Sequence, residues 1–317
     1  MEKLSSQESV HGKIKEAIFE GSKERIEQDL DKVDFDLLRN VFEDVYKKCG
    51  LDVSRMKFVD RDGIEFFNDV LYYAACAGTE FEVDESGEEK ERSFLRFNPA
   101  NYKFILPILK ERMKKKLLTL KLLVHEQVHV TQQNNGTEVI DVGEHKVNTK
   151  FSGISRQRYS EEDGDFKTVL TAFNEGLTEK IADMVLDEYL KRSGNTHLAQ
   201  EGYYKTYDIG RVLIDILVNK IATFSGVPED QVFNALVRAS YDGQSILDES
   251  LFTDGGEEIK RFIEEYKDIK PQSTNIPKIN EVFQEEKKKL ADLFSREYDV
   301  EKYSDIMGLR FIKKYKK

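Results

Sequence analysis

Two histidines one helical turn apart, with a carboxylate beside the first, stand in Leu122-Leu123-Val124-His125-Glu126-Gln127-Val128-His129. Residues four apart on an α-helix share a face within about 6 Å, so His125 and His129 can both aim a ring nitrogen at one metal ion. Glu126 does not ligate; it can take a proton from a water that attacks a carbonyl and deliver it to the leaving amine. A metal held by the two imidazoles lowers the pKa of its water toward ~7 and polarises the carbonyl. This is the zinc-hydrolase arrangement H-E-x-x-H. The chain has five histidines, and two of them are here. Leu117, Leu118, Leu120, Leu122, Val124 and Val128 give the segment an apolar helical approach, and Asn134-Asn135-Gly136 is a helix stop.

A catalytic zinc site takes a third protein ligand and leaves a position open for water. Downstream lies Phe173-Asn174-Glu175-Gly176-Leu177-Thr178-Glu179. With the H-E-x-x-H segment it resembles the gluzincins, zinc peptidases whose second helix supplies a Glu within N-E-G or E-x-x-x-[DE]; both patterns match. The resemblance implies Glu175 as third ligand and Glu179 as the acid that steadies a ligand histidine from behind. Asn174 then orients the helix start. Leu177, Ile181, Val185, Leu186 and Leu190 form the apolar stripe of this helix, and Ser193-Gly194-Asn195 closes it. Glu175 read without the resemblance is a solvated carboxylate in a first turn, where the helix dipole favours acids.

Other ligand sets fit less well. A metzincin needs Gly and His three and six residues after His129, where this chain has Gln132 and Asn135. His145 lies in the polar run Asp141-Val142-Gly143-Glu144-His145 and reads as a solvated loop histidine. Between His129 and Glu175 the insert is longer than in thermolysin-like or aminopeptidase-N-like enzymes. Its Lys146 to Ile154 alternates in part like a strand and Ser160 to Asp165 reads as a turn, forming either a cleft wall or a surface hairpin.

Upstream, Leu71 to Gly78 and Glu80 to Asp84 read as strand material, Glu85-Ser86-Gly87-Glu88 as a turn, and Arg92 to Phe97 as a strand ending at Asn98-Pro99-Ala100. The resemblance implies a strand along the cleft that pairs with extended substrate, by analogy Ser93 to Phe97, unless that strand is an interior one. Gluzincins also commonly stabilise the oxyanion with a later Tyr or His. Tyr207 is the first candidate because it opens a helix with Ile209, Val212, Leu213, Ile216 and Leu217 on its buried face; Tyr203 and His197 are the alternatives. Any of these tyrosines can equally be a core ring with its hydroxyl at the surface.

At 317 residues the chain can bury a large core. The expected class is α+β, zincin-like by resemblance, with a small sheet and the histidine helix in an N-terminal lobe and a mainly helical C-terminal lobe. The expected division is a helical segment over 1–50, a zincin-like core over 51–195 and a helical lobe over 196–317. Ile14, Ile18, Ile26, Leu30, Leu37, Leu38, Val41, Phe42 and Val45 supply the apolar positions of the first segment. Helices are expected over Tyr207 to Thr223, Pro228 to Ser240, Glu257 to Tyr266 and Ile279 to Phe294.

Cys49 and Cys76, the only cysteines, form no C-x-x-C pair, and no apolar leader opens the chain, so a reduced, cytoplasmic setting is expected. Charged residues such as Lys121 interrupt the apolar runs, which argues against a membrane partner. A net charge of −11 argues against nucleic acid; the lysine groups at 114–116, 287–289 and 313–317 read as solvated faces or tails.

The sequence thus leads to one Zn2+ per chain on His125, His129 and Glu175, with Glu126 as base and acid, Glu179 and Asn174 in support and Tyr207 at the oxyanion. The expected activity is hydrolysis of peptide bonds in a peptide or protein substrate. The lack of an upstream G-x-M-E-N segment, with which aminopeptidase-N-like enzymes hold a free amino terminus, leans toward endopeptidase. Its rivals are a non-catalytic zinc-bearing interaction protein and a zinc hydrolase of a non-peptide bond, since zinc polarises many carbonyls.

Overall fold

The structure is a computed structural model that describes residues 19–67, 74–83, 89–105, 112–132, 137–142, 145–160, 165–200, 207–243 and 256–269. The expected turn 85–88, the helix stop at 134–136, Tyr203, the helix over 279–294 and the lysine groups at 287–289 and 313–317 lie outside these residues. The chain is α+β. Two units divide it, one of residues 1–134 and 181–204, the other of residues 135–180 and 205–317.

The first unit begins with helix α1, residues 19–30, and α2, Phe35–Lys48. The Asp34 carboxylate caps α2 by accepting from the Leu37 amide at 2.9 Å, satisfying an amide the helix start leaves open. Ile26, Leu30, Leu38, Val41, Phe42 and Val45 are buried, so the apolar spacing read from the sequence is the core face of this pair. Three strands follow: β1, Ile64–Phe66; β2, Ala75–Val83; and β3, Glu89–Phe97. β2 and β3 are one antiparallel ladder, and β1 joins β3 in parallel.

The order β1-β3-β2 decides between the two readings of Ser93 to Phe97 in favour of the interior strand. Ser93 to Phe97 belongs to the central strand, and Leu95 to Phe97 are paired on both sides, so this stretch is not free to receive an added strand. It is the buried Leu95 and Phe97 that make it interior. Among the described residues, β2 is an edge strand of this sheet, and it packs on the histidine helix. Gly78 in β2 leaves room for the Phe94 ring: a Cβ there would sit 2.4 Å from the end of that ring, which would have to shift.

Helices α3, Pro99–Ile105, and α4, Arg112–Thr131, complete this stretch. The second unit contains the antiparallel strands β4, Thr137–Val142; β5, His145–Ser152; β6, Ser155–Ser160; and β7, Asp165–Val169, in that order across the sheet. The insert is therefore four strands where sequence suggests strand material in either a cleft wall or a surface hairpin, and His145, expected in a loop, opens β5 opposite Val142.

Helix α5, Thr171–Arg192, is unbroken and enters both units. Gly194 ends it with φ +76°, as the Ser193-Gly194-Asn195 stop required. The short α6, Thr196–Gln200, belongs to the first unit, while α7, Asp208–Ser225, α8, Glu229–Asp242, and α9, Glu257–Tyr266, belong to the second. Among the described residues no helix is long and apolar enough to cross a membrane.

One face of the three-stranded sheet is held by charge. Arg96 donates to Glu65 at 2.6 Å and to Glu80 at 2.8 Å, and Arg92 pairs with the same two carboxylates. The hydrogen bond from Arg96 holds the Glu65 carboxyl below its ordinary range, burial opposes this, and Arg92 adds to the lowering. A carboxylate with a depressed folded pKa adds stability above its unfolded value, ~4.3, and loses it as pH falls through the folded value. Urea midpoints of the wild type are therefore expected to fall more between pH 5 and pH 3 than those of Glu65→Gln; equal falls would show that the network adds nothing to acid stability.

Candidate metal centre

Helix α4 carries His125, Glu126 and His129, and its surroundings are dry. Leu117, Leu118, Leu123, Val124, Val128 and Val130 are buried, with Leu120 and Leu122 half-buried. Polar side chains fix the helix within this apolar setting. The Gln127 amide brackets the Val59 backbone, its nitrogen donating to the carbonyl at 3.3 Å and its oxygen accepting from the amide at 3.0 Å. Thr131 donates to the Val128 carbonyl at 2.6 Å and shares a 2.5 Å hydrogen bond with the Tyr46 hydroxyl of α2. Such buried polar groups are costly without partners, so each of these bonds also selects one position of α4.

Lys121, which in sequence only interrupts an apolar run, is 3% exposed and donates to Asp183 of α5 at 2.7 Å. It lies one turn before His125. The two helices that carry the candidate ligands are thus joined by a buried ion pair.

His125, His129 and Glu175 each offer a ligand atom, and these atoms lie within 4.8 Å of one another, so the group could hold a metal ion. The imidazoles stand edge to face, with ring centres 5.0 Å apart at 77°. His125 is buried, while His129 and Glu175 are half-buried. Two neutral imidazoles and one carboxylate suit a borderline divalent ion such as zinc, and three protein donors leave room in a four-coordinate shell.

The ring of His129 is oriented by Gln132, whose Oε1 lies 3.1 Å from Nδ1. A carbonyl oxygen can only accept, so in this contact Nδ1 is the donor, the arrangement in which a neutral ring turns Nε2 toward a metal. Sequence reasoning used Gln132 only to set aside the metzincin pattern; its i+3 spacing from His129 was the available signal.

Glu126 is buried at 8% exposure and close enough to Cys76 on β2 to act on its thiol electrostatically. Glu179 is fully buried one turn after Glu175. A carboxylate removed from water demands compensating partners. Asn174 is buried too, and its Oδ1 accepts from the Ile154 amide at 2.9 Å, tying the turn between β5 and β6 to the residue before Glu175. The start of α5 is fixed further by Leu170, whose amide donates to the Lys267 carbonyl at 2.6 Å and whose carbonyl accepts from the Asn174 amide at 2.9 Å.

The remaining candidates lie on other elements. Tyr207 is half-buried at the N-cap of α7, three residues before Gly210, and its carbonyl accepts from the Arg211 amide at 3.0 Å. His197 lies exposed on α6. His145 opens β5. Compared with known proteins, the chain matches no family profile, no curated protein and no solved structure.

Removing one partner of a buried pair strands the other charge, so Lys121→Met is expected to cost about 3 kcal/mol of stability in urea unfolding. An unchanged midpoint would show that the pair is solvated in solution. Burial pushes the Cys76 thiol up to about 11, Glu126 adds to the rise and Arg96 opposes it. Iodoacetamide at pH 7.5 is therefore expected to label Cys76 on the order of a hundredfold more slowly than free cysteine, read by mass spectrometry. Labelling at the free rate would show that the thiol is not buried as the structure has it.

Proposed function

We propose that the chain is a gluzincin-like zinc peptidase, with a zincin-like arrangement of strands and ligand helices, that cleaves within peptide or protein substrates. The observation that carries the reading is the convergence of His125, His129 and Glu175, with Glu126 next to the first ligand. When bound, the metal supplies Lewis acidity and an acidified water.

The chain's own residues do the rest. Glu126 accepts a proton from water as its oxygen bonds to the scissile carbonyl carbon, and returns that proton to the amine nitrogen as the C–N bond breaks. The low exposure of Glu126 keeps bulk water from competing for the proton. Gln132 holds the His129 tautomer, and Glu179 and Asn174 support the ligands from behind. Tyr207 donates a hydrogen bond to the oxyanion as the carbonyl carbon becomes tetrahedral. Two free cysteines fit a reduced, cytoplasmic setting.

Protein purified without added metal is expected to carry about one zinc per chain by elemental analysis, with marked loss in His129→Ala and Glu175→Ala. Glu126→Gln is expected to keep the zinc and lose cleavage of a peptide library by at least about a hundredfold. Full zinc retention in Glu175→Ala, or hydrolysis that survives Glu126→Gln, overturns the reading.

A further inference from the structure

Glu175 is followed by a glycine that no turn explains, since Gly176 lies inside α5. A mid-helix glycine costs about 1 kcal/mol relative to alanine, so its presence calls for a contact that only glycine permits. That contact is Gly210 of α7. A Cβ on Gly176 would lie 2.1 Å from both the carbonyl carbon and the oxygen of Gly210. The reverse substitution is as crowded: a Cβ on Gly210 would lie 2.2 Å from the Ala172 carbonyl oxygen and 2.8 Å from the Gly176 nitrogen. The obstructing atoms are all backbone, so no rotamer change can relieve them.

The crossing has chemistry on both helices. On α5 the residue before Gly176 is Glu175; on α7 Tyr207 lies three residues, about one helical turn, before Gly210. One turn further along the same pair, Lys180 of α5 donates to Asp215 of α7 at 2.5 Å. The two helices thus touch through bare backbone beside the candidate ligand and the candidate oxyanion donor, and a charge pair locks their slide.

We propose that Gly176 and Gly210 are positioning residues whose backbone contact sets Glu175 for metal binding and holds Tyr207 in fixed relation to it. A methyl group at either glycine must separate the helices by on the order of 1 Å before ordinary contact distances return. Metal ligation tolerates about 0.2 Å, so a shift of that size registers first in affinity. This inference rests on the metal reading proposed above, and its test separates the two.

The test measures Zn2+ affinity by competition with a chromophoric chelator, and the Co2+ absorption spectrum, on the full chain. The variants are Gly210→Ala, Lys180→Met, which loosens the same interface without adding volume, and Gly21→Ala. The last is a control glycine of α1 with nothing within 4 Å of an added Cβ. Gly210→Ala is expected to bind Zn2+ about tenfold to a hundredfold more weakly with an altered Co2+ spectrum; Lys180→Met shifts the same way by less, and Gly21→Ala matches the wild type. A metal-binding wild type whose Gly210→Ala variant keeps both the affinity and the spectrum overturns the positioning role alone. If Gly210→Ala does not fold, Lys180→Met decides by the same criteria. A wild type that binds no Zn2+ overturns the metal reading itself, and the positioning role with it.

Discussion

The buried ion pair between Lys121 and Asp183 is the constraint on which the rest of the arrangement depends. It ties α4 to α5 through an ammonium that is 3% exposed, and a buried cation is costly without such a partner. Glu175 lies eight residues before Asp183 on the same unbroken helix, so about 12 Å of α-helix carries the fixed point to the ligand. A helix of that length bends little without proline or a bulge, and α5 contains no proline. Within the second unit the Gly176 and Gly210 contact is a separate fixed point on the first half of the same helix.

Charge burial gives this geometry a direction. Glu126 and Glu179 are almost wholly removed from water, and Glu175 is half removed. Three carboxylates on two helices are costly in a dry setting unless cations and hydrogen-bond donors offset them. Neutral imidazoles do not offset negative charge by themselves; they do so by holding a cation. The donor set itself is one that could hold a divalent ion. Cys76 on β2 also feels Glu126, whose charge adds to the burial that keeps its thiol protonated.

What sequence made legible was whatever short-range spacing encodes. The His125 and His129 pair follows from helical periodicity, α9 runs over Glu257–Tyr266 as its pattern required, and the end of α5 follows from Gly194 and its positive φ. The β2 and β3 hairpin was visible from its flanks, although sequence divided β2 in two near Gly78 because glycine reads as a break. There the glycine is instead space for the Phe94 ring. What escaped were partners distant in the chain: Asp183 for Lys121, Ile154 for Asn174, Gly210 for Gly176, and the pairing that puts Leu95 to Phe97 between two strands. Each residue had a plausible local meaning, as interruption, helix opener or strand, and only the fold supplied the second one.

Leu170 shows how firmly the start of α5 is determined. Its φ of 62° places a leucine in the left-handed region, at a cost of about 1–2 kcal/mol relative to right-handed backbone. Glycine would remove that cost, but would also remove a side chain that is fully buried, worth about 1.5–3 kcal/mol. Burial therefore matches or exceeds strain, and the residue keeps both its conformation and its anchor. Its amide is tied to Lys267 and its carbonyl to Asn174, so the strained conformation also sets where the helix begins. These two ties fix the point at which the chain leaves β7 and enters the first turn of α5, the turn that carries Glu175.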